Sequence, residues 1–148
     1  MQVSVLEQSV AVEGKPQHMT IQDSINLAKK VEKLGYTRFW VSEHHNHPTI
    51  IGTAPEILMA AIATQTKTIR IGSAGIMLPH YAPFKIAEQF RVLEAIAPNR
   101  IDLGLGRAPG SDGRTALALN SNSRNDSEQF PSHVRDLMAW VSNETLLE

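Results

Sequence analysis

Short apolar runs alternate with longer amphipathic stretches along this chain, and that alternation sets the first expectation about its fold. Four runs rich in β-branched and other apolar residues, Val3–Leu6, Arg38–Ser42, Ile69–Ala74 and Arg100–Leu105, are bounded by turn or capping signals and read as strands. Their starts fall roughly 31 to 35 residues apart, the length of one strand–helix–strand unit.

Helical patterns fill the gaps. Thr20-Ile21-Gln22-Asp23 has the form of a capping box, in which the Thr hydroxyl and the carboxylate satisfy free backbone N–H groups. After it, Ile21, Ile25, Ala28 and Val31 form one apolar stripe, and Gly35 supplies a left-handed stop. A second box, Thr53-Ala54-Pro55-Glu56, predicts the next helix, with Pro55 in its first turn and Leu58, Ala61 and Ile62 on the buried face. A third helix is expected from Pro83 to Pro98-Asn99, carrying Ile86, Ala87, Phe90 and Leu93. Val134, Leu137, Met138 and Val141 predict a last one, and the polar stretch 120–126 before it reads as a mobile loop.

Strands and helices in strict alternation imply a parallel sheet with right-handed crossovers. Two architectures hold such a sheet, an open doubly wound sheet or part of a barrel. Central strands of an open sheet are buried on both faces and favour unbroken apolar runs. Here Ser4, Glu7, Asp102, Gly104 and Gly106 interrupt them, which favours the α/β TIM (β/α)8 barrel. A complete barrel takes about 250 residues, and 148 residues hold only the first four βα units. The expectation is a half-barrel over 1–148, a truncated form with bare strand edges through which it forms a homo-oligomer. The terminal Leu147-Glu148 resembles a cloning scar.

Composition narrows the function classes. A formal charge of -1, with no polybasic run, argues against nucleic acid or an acidic membrane as partner. The absence of cysteine excludes disulfides, thiolate nucleophiles and cysteine-ligated zinc, and suits a cytoplasmic protein. No signal-peptide pattern or apolar stretch of membrane-spanning length is present.

Chemistry in such folds gathers where strands run into the following loops. The second strand ends in Glu43-His44-His45-Asn46-His47-Pro48, which holds three of the six histidines. The third ends in Gly72-Ser73-Ala74-Gly75-Ile76-Met77-Leu78-Pro79 and the fourth in Gly104-Leu105-Gly106-Arg107-Ala108-Pro109-Gly110. Parallel neighbours would bring all three loops to one mouth. The histidines allow a metal-site reading, but adjacent side chains on a strand point to opposite faces, and a purely structural role for His44 or His45 stands beside it. The glycine-rich segment lacks the third glycine of a dinucleotide fingerprint and the Lys-Ser/Thr of a phosphate loop. Arg107 reads either as a surface ion-pair partner or as a ligand contact. Trp40 and Phe90 are expected in the core, Met77 and Met138 as gap fillers, and Lys29-Lys30 with Glu32-Lys33 as a solvated helix face. No G-x-S-x-G nucleophile elbow exists.

Trp40-Val41-Ser42-Glu43-His44-His45, Gly72 to Pro79, Ala87-Glu88-Gln89-Phe90-Arg91-Val92-Leu93-Glu94 and Arg100 to Gly110 together resemble the signatures of bacterial luciferase-like, flavin-dependent monooxygenases. Leu6-Glu7-Gln8-Ser9 and Phe130-Pro131 fit the same family, so the likeness runs along almost the whole chain. The resemblance implies a TIM barrel with reduced FMN at its mouth, reacting with dioxygen to oxygenate a small organic substrate. NAD(P)H and a flavin reductase are the electron source and partner that such a scheme implies.

Residue by residue, the resemblance makes His44 the catalytic proton handler, an imidazole that ordinarily titrates near ~6.5. Glu43, Ser73, Ala74, Gly75 and Arg107 become the cofactor-binding positions, with no metal. Ala74-Gly75 matches a strand-end bulge, often a non-prolyl cis peptide, that supports one flavin face, and the fixed charge of Arg107 suits an anionic flavin. Groups that hold the flavin phosphate come mainly from later units that this sequence lacks. Two alternatives stand: a deazaflavin-dependent oxidoreductase of the same superfamily, and a non-catalytic half-barrel that dimerises.

Overall fold

The structure, a computed structural model, describes residues 1–142; Leu147-Glu148 lie outside the described residues. Strands β1 (Ser4–Glu7), β2 (Arg38–Val41), β3 (Arg70–Ser73), β4 (Ile76–Met77), β5 (Ile101–Asp102) and β6 (Leu105–Gly106) and helices α1 (Gln17–Lys33), α2 (Pro55–Gln65), α3 (Pro83–Ile96), α4 (Gly113–Leu119), α5 (Ser123–Glu128) and α6 (Phe130–Val141) follow in the order β1-α1-β2-α2-β3-β4-α3-β5-β6-α4-α5-α6. A single 3₁₀ turn covers Leu78–His80. Four strands pair in parallel in the order β1-β2-β3-β5, and the sheet is not closed. Beyond it, β4 and β6 form a two-stranded parallel extension.

Register fixes the two faces. Val5, Phe39, Ile71 and Ile101 lie side by side, as do Glu7, Val41 and Ser73. This is the face under the helices, where Phe39, Val41 and Ile71 pack with Leu58, Met59 and Ile62 of α2 and Ile86, Phe90 and Leu93 of α3. Burying each such side chain stabilises the fold by about 1.5–3 kcal/mol. On the opposite face stand Ser4, Arg38 and Arg70, then Leu6, Trp40, Gly72 and Asp102. Leu6 is 59% exposed there. Asp102 takes hydrogen bonds from Arg38 Nε (3.2 Å), Trp40 Nε1 (3.0 Å) and Arg70 Nε (2.9 Å) and Nη2 (2.5 Å). Phe90 is core as expected, whereas Trp40 is only partly buried and holds the uncovered polar face.

Several boundaries depart from expectation. α1 begins at Gln17 behind Pro16, so Thr20-Ile21-Gln22-Asp23 is not a cap but the second turn; with proline at the N-cap, the helix starts without any side-chain cap. Ala54, not Thr53, precedes α2, and its side chain makes no capping bond, while Pro55 occupies the first turn as expected. Gly35 (φ +81°) ends α1, and α3 runs from Pro83 as expected. The fourth expected strand is two short ones, since the ladder breaks at Leu103-Gly104. Residues 120–126 are not a plain loop. Ser123 opens α5, and Asn120 and Asn122 bond the Asp126 carboxylate at 2.6 and 2.9 Å, so the polar side chains satisfy one another and the local backbone. Met138 is no filler: it is 65% exposed on α6. Glu32, expected on a solvated face, accepts the backbone N–H groups of Lys67, Thr68 and Ile69 at 2.7–3.0 Å and so clamps the entry to β3.

Candidate functional site

Ladder bonds continue past the strand ends: Ser42 N–H donates to Glu7 O, Ala74 N–H to Val41 O and Ile76 N–H to Gly104 O. The three loops singled out in the sequence therefore start side by side at one end of the sheet. His44 N–H closes its own loop on Gly52 O at 3.1 Å, and His45 N–H joins that loop to the one after β6 through Gly110 O at 3.0 Å.

Alternation turns Glu43 away from the uncovered face, toward α2 and the Leu78–His80 turn. Its side chain is wholly buried. Oε1 lies 2.6 Å from His45 Nε2 and accepts the Tyr81 hydroxyl at 2.5 Å; Oε2 accepts Met77 N–H at 2.8 Å. Both oxygens of Glu43, expected as a cofactor-binding position, are thus engaged by protein groups. Burial, and then the hydrogen bond to and charge of Glu43, push the Tyr81 hydroxyl well above its ordinary range, so it remains a donor. Glu56, at the start of α2, is also raised, first by burial and further by the Glu43 charge, against its own backbone N–H and His45.

On either side of Glu43, Ser42 Oγ and His44 Nδ1 are buried polar atoms without a hydrogen-bond partner among the described residues. His44 packs edge-on to His47 with ring centroids 6.3 Å apart. His47 itself serves the turn, its Nδ1 accepting Thr49 N–H (3.2 Å) and Ile50 N–H (3.1 Å). The three histidines thus diverge: one to the strand end, one to Glu43, one to a turn.

Ala74-Gly75 is a cis peptide, as the resemblance implied. Ala74 is partly exposed and Gly75 buried. Ser73 is wholly buried and its hydroxyl is engaged by Gly104, donating to O at 2.8 Å and accepting N–H at 3.0 Å, so it fastens β3 to the next strand end. Arg107 is exposed, and its Nε donates to Ser127 O at 3.0 Å, which ties the loop after β6 to α5. The structure therefore brings His44 and Ala74-Gly75 to one end of the sheet with free or small surfaces, while Glu43 and Ser73 stand behind them. Ser42, Tyr81 and His80 belong to the same region and were not singled out. Ser42 was legible in principle, as the neighbour of Glu43 on the strand; Tyr81 lies beyond a 3₁₀ turn that no periodicity marks.

Among the described residues, no group of three or more His, Asp or Glu is disposed to hold a metal ion. Nor is any helix of the described residues long and apolar enough to cross a membrane.

In parallel α/β sheets ligands are ordinarily met at the carboxyl ends of the strands, the end that carries this polar cluster. The model of the family described as luciferase-like monooxygenase matches residues 1–136. N-acetyl-S-alkylcysteine monooxygenase of Bacillus subtilis (strain 168) is 42% identical over 144 residues, which cover 97% of this chain and 43% of that protein. The crystal structure of apo-MsnO8 superposes with a TM-score of 0.93 at 41% identity, covering 99% of this chain and 45% of that one. At the level of fold alone, the oxygenating constituent of 3,6-diketocamphane monooxygenase from the CAM plasmid of Pseudomonas putida, in complex with FMN, matches with a TM-score of 0.81 at 24% identity, over 93% of this chain and 38% of that one. The chain belongs to the luciferase-like monooxygenase family, whose members are oxidoreductases. It spans less than half the length of the relatives it matches.

Proposed function

We propose that this chain carries the flavin-facing part of a monooxygenase site, at which reduced FMN and dioxygen oxygenate a small organic substrate. The observation that carries this reading is the pairing of two buried, unpartnered polar atoms, Ser42 Oγ and His44 Nδ1, with the small Ala74-Gly75 step at the same end of the sheet. An aromatic, heteroatom-rich ring fits that donor set: side chains at Ala74-Gly75 are too small to keep it from the backbone, and the two polar atoms can reach its edge. The FMN bound by a protein of the same fold supports this choice. When bound, the flavin would supply electrons for dioxygen activation; His44 would hold or deliver a proton at Nδ1 or Nε2. Arg107 would add fixed positive charge to the polar edge on release from Ser127 O. NAD(P)H through a flavin reductase is the electron source that fits.

In the same reading the four strands are the first half of a (β/α)8 barrel, the uncovered face with Leu6, Trp40 and the Asp102 cluster being the lumen side. A cytoplasmic location is part of the same reading, and the sheet edges at β1 and β5 favour pairing with a second copy. Sedimentation of the chain would show twice the monomer mass if they do so, and a clean monomer would contradict the pairing.

The test of the site is an anaerobic titration of the chain with reduced FMN and, separately, a reduced deazaflavin. Saturable binding of FMN with a dissociation constant at or below about 1 mM, not displaced by the deazaflavin, supports the proposal. Preference for the deazaflavin would move the chain to hydride-transfer chemistry, and binding of neither would overturn the flavin reading.

A further inference from the structure

A wholly buried carboxylate is costly unless something demands it, because each oxygen must recover the hydrogen bonds it loses to water. Glu43 recovers them from three separate segments of the chain. His45 Nε2 at 2.6 Å belongs to its own loop, Met77 N–H at 2.8 Å to the segment just past Ala74-Gly75, and the Tyr81 hydroxyl at 2.5 Å to the residue after the 3₁₀ turn. Two further contacts carry the lock to the loop after β6. His45 N–H donates to Gly110 O at 3.0 Å, and His80 Nε2 lies 2.6 Å from Pro109 O. The rings of His45 and His80 meet edge to face at 5.7 Å, which joins the two halves of the lock.

These segments are the ones that bracket the candidate site. Glu43 immediately precedes His44, and Met77 stands two residues after Gly75. One carboxylate therefore spans the distance between the candidate proton handler and the step on which a flavin would rest. An apolar residue of similar size could fill the same space, but it could not fix the Met77 backbone relative to the β2 loop.

We propose that Glu43 is a positioning residue, which sets the placement of His44 relative to Ala74-Gly75 by binding the His45, Met77 and Tyr81 donors at once. It acts through these neighbours and does not touch the cofactor. The inference rests on the reading that reduced flavin occupies this strand end, and the experiment separates the two claims.

Two variants test it, Glu43→Gln, which keeps the shape and lets an amide oxygen still accept Met77 N–H, and Tyr81→Phe, which removes one donor and leaves the carboxylate. Each is measured for its denaturation midpoint, for reduced-FMN affinity and for the ring-nitrogen resonances of His44 in 15N-labelled protein. Glu43→Gln is expected to weaken reduced FMN by about tenfold or more, and Tyr81→Phe by about threefold, with His44 resonances displaced in both at pH 7 in folded protein. Folded variants that bind as tightly as the parent and leave His44 unmoved overturn the proposal. If the parent itself binds no reduced FMN, the flavin reading fails, and His44 alone decides: displaced resonances support positioning, unchanged ones refute it. Should Glu43→Gln not fold, Tyr81→Phe carries the same decision.

Discussion

One hydroxyl closes both bonding positions of a neighbouring backbone unit: Ser73 Oγ donates to Gly104 O at 2.8 Å and accepts Gly104 N–H at 3.0 Å. The approach leaves no room for a side chain on the other partner, since a Cβ at Gly104 would lie 2.2 Å from Ser73 O. Both residues stand where the main sheet gives way to β4 and β6, so this contact holds the site end together. Ser73→Ala leaves Gly104 N–H without its partner, while Gly104 O keeps Ile76 N–H, and is expected to cost about 1–2 kcal/mol. Gly104→Ala should cost more, because backbone would have to move. Urea unfolding of the two variants checks this; a Ser73→Ala midpoint equal to the parent's contradicts it.

Glu32 makes a second such clamp from a helix to a strand entry. Burial alone would raise its carboxyl, yet the N–H groups of Thr68, Ile69 and Lys67 and the Thr68 hydroxyl hold it below the ordinary range. Glu32→Ala should therefore speed amide exchange at Thr68 and Ile69 by about tenfold, the equivalent of about 1.4 kcal/mol, without affecting α6. Equal exchange in both proteins would mean that the three bonds contribute nothing.

Asp102 gives a pH signature. Burial opposes its ionisation, but the hydrogen bonds of Arg70 and Trp40 and the charges of Arg70 and Arg38 win, and its carboxyl lies below the usual carboxylate range. A group depressed in the folded state stabilises above its unfolded value, near ~3.9, and loses that contribution as pH falls through its folded value. Asp102→Asn should lower stability at pH 7 and flatten the loss as pH falls below about 4. Parallel pH curves for parent and variant would remove Asp102 from the acid transition.

In an assay of FMN-dependent oxygen transfer by this chain, His44→Ala should lower the rate by about 10²–10⁴-fold. Reduced-FMN affinity should change far less, since in the proposed site the ring would handle a proton and the backbone step would support the flavin. A variant that turns over at the parent rate would rule out the proton role.

The order of strands, helices and loops was legible because hydrophobic period changes at each unit, and because Pro55, Pro83 and Gly35 mark ends that any fold would respect. Where the reading failed, tertiary partners decided. Thr20 looks like a cap, but Pro16 begins the helix earlier. Asp102 looks like an interruption in an apolar strand, and Trp40 like a core residue, until Arg38 and Arg70 are placed beside them across the sheet. Glu43 is placed among the cofactor-binding positions by the resemblance, and nothing in the sequence shows what holds its side chain. Strand alternation sends it to the other side, and the donors that hold it, Tyr81 and Met77 N–H, are more than 30 residues away in sequence. Only the fold reveals such partners.

The central claim is that reduced flavin meets this chain at the carboxyl ends of β2 and β3. Chemical-shift mapping of the labelled chain during anaerobic titration with reduced FMN tests it most directly, because it locates weak binding as well as tight. The account predicts saturable shifts concentrated at Ser42, His44, Ala74, Gly75 and Arg107. Shifts confined to residues away from these strand ends, or none at millimolar flavin, would contradict it.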